Sequence, residues 1–329
     1  MAIKKATELD FSNKKVAILI SGRANIGKTS LALSAHKPLL IDLENGIDRV
    51  ETCYRKDVVV NDDLPFDQRY EAFVKDLTNA DLSDYDTIIV DTLDKLFDLL
   101  VPVVIRENPK NAQNDGKTLS LKGYGAVGVK ISDFIRLVES LGKNVVLISH
   151  TVEKTDGDVT KVRLAIPGST KDSIWNDIDI GGYIEYIGKD RTIGFSPTER
   201  YDAKGVHGVK GIYKIPELKS AKDGGKAEDN HFLSDLIDTV INDLNSTNEQ
   251  YRKDLEVYKN AVKIVPEIQS CNNVDTLNEL VEKIKITPHA LTSRKELLSH
   301  VSLKAKELKS TYDKESGKYI INSQEEVVL

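Results

Sequence analysis

The chain has 329 residues, 40% hydrophobic and 30% charged, with a formal net charge of −6. That length allows one large domain and a smaller one, no apolar run approaches the ~20 residues of a bilayer span, and the acidity argues against nucleic-acid binding by bulk charge alone. Cys53 and Cys271 stand far apart without metal-ligand spacing, so no disulfide framework is encoded and a reducing compartment is expected.

Met1-Ala2-Ile3-Lys4-Lys5 has neither an apolar core nor a cleavage site, which leads us to expect a cytoplasmic protein. The apolar run from Val16 to Ile20 reads as a buried strand. It leads into Gly22-Arg23-Ala24-Asn25-Ile26-Gly27-Lys28-Thr29, followed by the helix-forming Ser30-Leu31-Ala32-Leu33. Strand, G-x-x-x-x-G-K-[ST] and helix in that order predict a phosphate-binding P-loop. Its main-chain N–H groups would cradle phosphates of ATP, Lys28 would reach the β- and γ-phosphates, and the Thr29 hydroxyl would hold Mg²⁺.

Further strands are expected at 38–43, 57–61, 86–91 and 144–149, with helices at 28–35, 66–80, 92–107 and 126–141. This alternation predicts a mostly parallel α/β sheet. Residues 108–125 read as a polar loop with a Gly123-Tyr124-Gly125 hinge. After His150 short alternating segments with turn signals suggest antiparallel hairpins at the sheet edge, followed by an exposed loop at 216–230 and a helix at 231–244.

Asn245-Ser246-Thr247-Asn248 is the expected boundary between an ATP-binding domain, 1–245, and a helical domain, 246–329, with a weakly ordered end. In that tail Leu255, Tyr258, Val262 and Val265, then Leu277, Leu280 and Ile284, then Leu297, Val301, Ala305, Leu308 and Tyr312 fall at helical spacing. Beyond residue 245 the 13 basic and 13 acidic residues balance, so the excess acidity belongs to the first domain.

Asp86-Thr87-Ile88-Ile89-Val90-Asp91 is a β-branched run ending in an acid, which places Asp91 beside the Mg²⁺ shell as the Walker B carboxylate. The next residue is Thr92, where many ATPases carry a water-activating glutamate. Glu44, in Leu39-Leu40-Ile41-Asp42-Leu43-Glu44-Asn45-Gly46, is the candidate base instead. Asp42 competes with it, although strand alternation points Asp42 away from its neighbours and suits it to a structural role.

These motifs in this order, with Val145-Val146-Leu147-Ile148-Ser149-His150 as a fourth, resemble the RecA-type ATPase core. More narrowly, the chain is similar to phage-encoded RecA-core nucleotide-binding proteins, some of them single-strand annealing recombinases. The likeness continues through Gly123-Tyr124-Gly125, residues 178–183 and Phe195-Ser196-Pro197, and covers about residues 14–215. It implies an α/β RecA-like P-loop NTPase with antiparallel edge hairpins, plus a small C-terminal helical domain. His150 would take the sensor position, where many relatives carry glutamine.

The resemblance also implies two loops facing single-stranded DNA: 108–125 with Lys110, Lys117, Lys122 and the stackable Tyr124, and 151–166 with Lys154, Lys161 and Arg163. It implies a homo-oligomer, ring or filament, in which Arg200, Lys204 or Lys210 reaches a neighbour's γ-phosphate. The helical tail would bind DNA or a partner such as a single-strand-binding or replication protein.

The expected activity is Mg²⁺-dependent ATP hydrolysis on single-stranded DNA in recombination or annealing. Three other classes share the core: a helicase or translocase, a small-molecule kinase, and an ATP-gated protein-binding switch. DNA-stimulated hydrolysis separates the DNA enzymes from the kinase and the switch, and strand displacement identifies the motor.

Overall fold

In a computed structural model residues 10–59, 64–156 and 159–321 are described. The apolar run ahead of the glycine loop forms β1 (Ala17–Gly22), buried along its whole length. The loop feeds a short α1 (Lys28–Ala32), and the chain returns as β2 (Pro38–Asp42) and β3 (Val58–Val59). Residues 60 and 61 of the expected third strand lie outside the described residues, as do Met1 to Lys5 and the tail end, 322–329.

Next come α2 (Arg69–Asn79), β4 (Thr87–Asp91) and α3 (Leu93–Glu107). α4 (Leu121–Ser140) precedes the long β5 (Asn144–Asp156), which pairs antiparallel with β6 (Val159–Leu164). A single turn, α5 (Thr170–Ser173), leads to the antiparallel run β7 (Ile180–Ile187), β8 (Asp190–Gly194) and β9 (Ile212–Lys214). α6 (Phe232–Ala261) follows.

The strands build one nine-stranded sheet in the order β3-β2-β4-β5-β1-β7-β8-β9, with β6 hung on β5. All pairings from β3 across to β7 are parallel, and the antiparallel pairs are confined to β5–β6 and the β7–β8–β9 edge. The expected mixed sheet is therefore present. Its central strands are continuous apolar runs because both faces are covered, as a parallel sheet requires.

One face packs on α2, α3 and α4 through residues such as Phe73, Leu96, Leu100, Ile131 and Phe134. The other packs on α1 and on Leu233, Leu236, Ile237 and Val240 at the start of α6. Each fully buried Leu or Ile contributes about 1.5–3 kcal/mol relative to exposure, so this two-sided core fixes the strand register. That register sets Asp42 beside Asp91, Asp91 beside Ile148, and Gly22 beside His150. At one carboxyl-terminal edge, where open α/β sheets bind ligands, three strands thus deliver Asp42, Asp91 and His150 and a fourth delivers the glycine loop.

Several expectations are corrected. The supposed hinge Gly123-Tyr124-Gly125 is helical, because Ser120 caps α4 by accepting from the Gly123 N–H at 3.2 Å. A side chain at Gly123 would strike the Asn111 carbonyl, so glycine there permits close packing rather than bending. Residues 151–166 are largely a strand hairpin rather than a loop. The tetrapeptide at 245–248 is helical, within α6.

By its contacts the chain divides into two units, Phe11–Leu244 and the segment from Asn245 onward. In the second, the end of α6 is followed by α7 (Val265–Ser270), α8 (Val274–Ile286) and α9 (Ser293–Glu307), then a hairpin of β10 (Ser310–Asp313) and β11 (Lys318–Ile321). Leu277, Leu280, Ile284, Leu297, Val301 and Ala305 form its core as their spacing predicts. A 3₁₀ turn at Val262–Ile264 changes the phase, so Ala261 and Ile264 are buried in place of Val262. Tyr312 lies on the hairpin and is exposed.

Candidate nucleotide-binding site

The residues of Gly22 to Ser30 wrap from β1 into α1, with Asn25 and Gly27 in the left-handed region at φ 60° and 84°. Lys28 is 6% exposed, its ammonium folded back onto the carbonyl oxygens of Gly22 at 3.1 Å and Arg23 at 2.9 Å. Burial lowers its pKa, while Asp91, Asp94 and Glu44 pull it up. Lys28 thus lies along the loop without a direct carboxylate bond, its charge held by backbone dipoles.

The Thr29 hydroxyl donates to Asp91 Oδ2 at 2.6 Å. Asp91 is buried at the end of β4, and burial pushes its pKa up to about 6 against the Thr29 hydrogen bond. Thr29 and Asp91 form a hard-oxygen pair of the kind Mg²⁺ takes when its remaining positions are water or phosphate. A cation there would favour the charged carboxylate that burial disfavours, so this pair fits the expected metal.

Glu44 follows β2 and is turned toward the same edge, Oε1 accepting from the Thr92 hydroxyl at 3.0 Å and lying 3.5 Å from His150 Nδ1. The backbone curves there because Asp42 accepts from the N–H groups of Gly46 and Ile47, both at 2.9 Å, and of Glu44 at 3.3 Å. Asp42 is 3% exposed. It is occupied in shaping the turn that carries Glu44, consistent with its structural reading.

His150 meets a residue absent from the sequence-level set. Its Nδ1 is 2.7 Å from Asp94 Oδ2, while its backbone N–H and the Ser149 hydroxyl donate to Oδ1 at 3.2 and 2.9 Å. The bond to Asp94 raises the His150 pKa against burial. For Asp94 burial acts upward, but bonds from His150 and Ser149 outweigh it and leave the pKa lowered. Among the described residues Glu44, Asp94 and His150 bring one ligand-type atom each within 4.8 Å of one another. The sequence signal for Asp94 was its place three residues after Asp91, at the start of α3.

Lys28, Thr29, Glu44, Asp91 and His150 line one cavity of about 280 Å³ with Ala24, Asn25, Gly27 and Ser30. Gly22 ends the strand below it, and Ile26 packs beneath Gly22. Arg23 points elsewhere, pairing with Glu153 on β5.

The arginine-finger candidates differ in geometry. Lys204 turns inward, donating to the Trp175 carbonyl at 2.9 Å and to that of Ile178, which withdraws it from any neighbouring site. Arg200 pairs with Glu185 at 2.8 Å, and Lys210 is exposed. Tyr124 packs against Phe97 and Gly168, so it is not a free stacking platform. Arg163 is paired with Asp202 at 2.6 Å, while Lys110, Lys117, Lys122, Lys154 and Lys161 are exposed.

A glycine loop between strand and helix, a lysine folded along it and a threonine–aspartate pair at the sheet edge define a P-loop ATPase domain. The chain belongs to the AAA domain family, whose model matches residues 14–207, more than half its length. No curated protein matches it. Among solved structures, an ATPase domain aligns over 57% of this chain and 79% of its own, with 13% identity and a TM-score of 0.34. No helix among the described residues is long and apolar enough to cross a membrane.

Proposed function

We propose that this chain is a Mg²⁺-dependent, RecA-like ATPase that acts on single-stranded DNA in recombination or annealing. The observation that carries the reading is the convergence of Lys28, Thr29, Asp91, Glu44 and His150 on one cavity. Lys28 neutralises the terminal phosphates, and Thr29 with Asp91 holds Mg²⁺, which when bound supplies charge stabilisation at the phosphoryl oxygens. Glu44 takes the proton of the attacking water, oriented by Thr92. His150 faces Glu44 and sits on β5, the strand that continues into the β5–β6 hairpin, a route from nucleotide state to a DNA-facing element.

Support for DNA comes from that hairpin. Lys154 and Lys161 are directly opposite across β5 and β6, and both are exposed. Like charges in that register repel, and a phosphate backbone relieves the repulsion. In a homo-oligomer Arg200 or Lys210 serves the neighbour's γ-phosphate.

The test is ATP hydrolysis with and without single-stranded DNA, for the wild type, Lys28→Ala and Glu44→Gln. Stimulation by DNA that both variants lose is the expected result. An active enzyme indifferent to DNA would overturn the DNA reading. An ATP-gated switch is the second reading, favoured by Thr92 standing after Asp91 where a hydrolytic glutamate would serve; nucleotide binding without turnover would select it.

A further inference from the structure

A second cavity, of about 500 Å³, opens beyond the P-loop and is lined by Ser30, Tyr54, Tyr186, Arg191, Pro216 and Leu218 among others. Ser30 also lines the phosphate cavity. Lys28 and Thr29 face the Asp91 side, so a polyphosphate lying along the loop from that end leaves it at Ser30. Its volume lies within the usual range of small-molecule sites, and Pro216, Leu218 and Tyr186 give it apolar walls beside polar groups.

Arg191 lines the second cavity and reaches Gly27, a residue of the first. Its backbone is fixed near the start of β8, opposite Tyr186 and accepting from the Ile215 N–H at 2.8 Å. Its guanidinium lies against Gly27, so closely that a side chain at that glycine would collide with it. Gly27 therefore serves twice, by its positive φ and by admitting the arginine to the loop. Among the described residues no carboxylate forms an ion pair with Arg191, and the adjacent Asp190 is engaged by Lys214 at 2.6 Å.

Burial lowers the Arg191 pKa, only partly offset by Tyr186 and Glu217. A half-buried guanidinium bears a desolvation cost that an anion offsets, and its planar fork suits phosphate oxygens.

We infer that Arg191 is a phosphate-binding residue of the P-loop site and that the cavity beyond Ser30 receives the nucleoside half of the nucleotide. This rests on the P-loop reading and adds to it a cation from β8 and a subsite for base and ribose.

Calorimetric titration of the full chain in Mg²⁺ with ATP, ADP and inorganic tripolyphosphate tests it, using Lys28→Ala, Arg191→Gln, Arg191→Lys and Pro216→Trp. Loss of a charge-assisted contact predicts roughly ten- to hundredfold weaker ATP and ADP binding in Arg191→Gln. Arg191→Lys recovers part of it, which a folding defect would not predict. Pro216→Trp, which narrows the nucleoside cavity, weakens ATP but not tripolyphosphate. If Arg191→Gln binds ATP like the wild type while Lys28→Ala does not, the inference falls and the P-loop reading stands. Equal wild-type affinity for ATP and tripolyphosphate also overturns it, since the nucleoside would then have no subsite. Undiminished ATP binding by Lys28→Ala would remove the P-loop reading and the inference with it.

Discussion

His150 Nδ1 lies 2.7 Å from Asp94 Oδ2, across the boundary between β5 and the first turn of α3. The bond joins two adjacent parallel strands' continuations at the phosphate edge, and it orients the imidazole toward Glu44. Asp94 also accepts from Ser149 and from the His150 backbone N–H, so its carboxylate is held by donors other than the imidazole.

The first prediction concerns the charge on His150. Asp94 raises its pKa above the ordinary 6.5. Stabilisation from the protonated ring is therefore complete below 6.5 and is lost as pH rises through the raised value. The lowered Asp94 pKa works at the other end, its contribution present above the ordinary 3.8 and lost as pH falls through the lowered value. Asp94→Asn should lower the His150 pKa and cost about 1–3 kcal/mol near pH 5–6, with the deficit shrinking in more alkaline solution. Imidazole titration by NMR and denaturant unfolding at several pH values measure both. An unmoved His150 titration would show that the bond does not govern its charge.

Much of the phosphate site is legible in the chain because its signals are local. Gly22 to Thr29 carry their own turn chemistry, and Asp91 is marked by the apolar run that ends on it. The Asp94–His150 bond spans 56 residues and depends on β4 lying beside β5, which no local pattern states. Lys204 reads as a cation free to reach a neighbour's phosphate, yet the carbonyls of Trp175 and Ile178 draw it inward. The glycines around Tyr124 read as a hinge because helix propensity penalises them. Ser120 capping and the close approach of Asn111 override that preference. Arg191 is silent in the sequence, since its relation to Gly27 exists only once β8 folds back beside the sheet.

The second prediction separates support of Glu44 from binding. Thr92 donates to Glu44 at 3.0 Å and also accepts from the Lys95 N–H at 3.5 Å as the N-cap of α3. Thr92→Ala should lower kcat at least tenfold by freeing Glu44 while leaving the ATP dissociation constant nearly unchanged. Thr92→Ser, which keeps the hydroxyl, should restore kcat. The lost cap costs about 0.5–2 kcal/mol of stability. Equal loss of kcat in both variants would assign the effect to packing of the methyl group rather than to the hydroxyl.

The third prediction follows from Asp91, whose pKa burial raises from 3.8 to about 6. A carboxyl with a raised folded-state pKa favours the native state in its protonated form. Its relative stabilisation is full below 3.8 and is lost as pH rises through about 6. The shift corresponds to a penalty of up to about 3 kcal/mol in neutral solution for the chain without nucleotide. Asp91→Asn keeps the shape and an acceptor for Thr29 without the charge. The variant should therefore be more stable than the wild type at pH 7–8, by on the order of 1–3 kcal/mol, and nearly equal to it at pH 4–5. It should also lose most of its Mg²⁺-dependent ATP affinity, since the cation then faces an amide. Thermal unfolding across pH, with and without Mg²⁺ and ATP, reads both effects in one series. A wild type whose ligand-free stability does not fall relative to the variant between pH 5 and 8 would mean that Asp91 is charged without cost. The Thr29 hydroxyl and the Lys28 ammonium would then be compensating its burial in full.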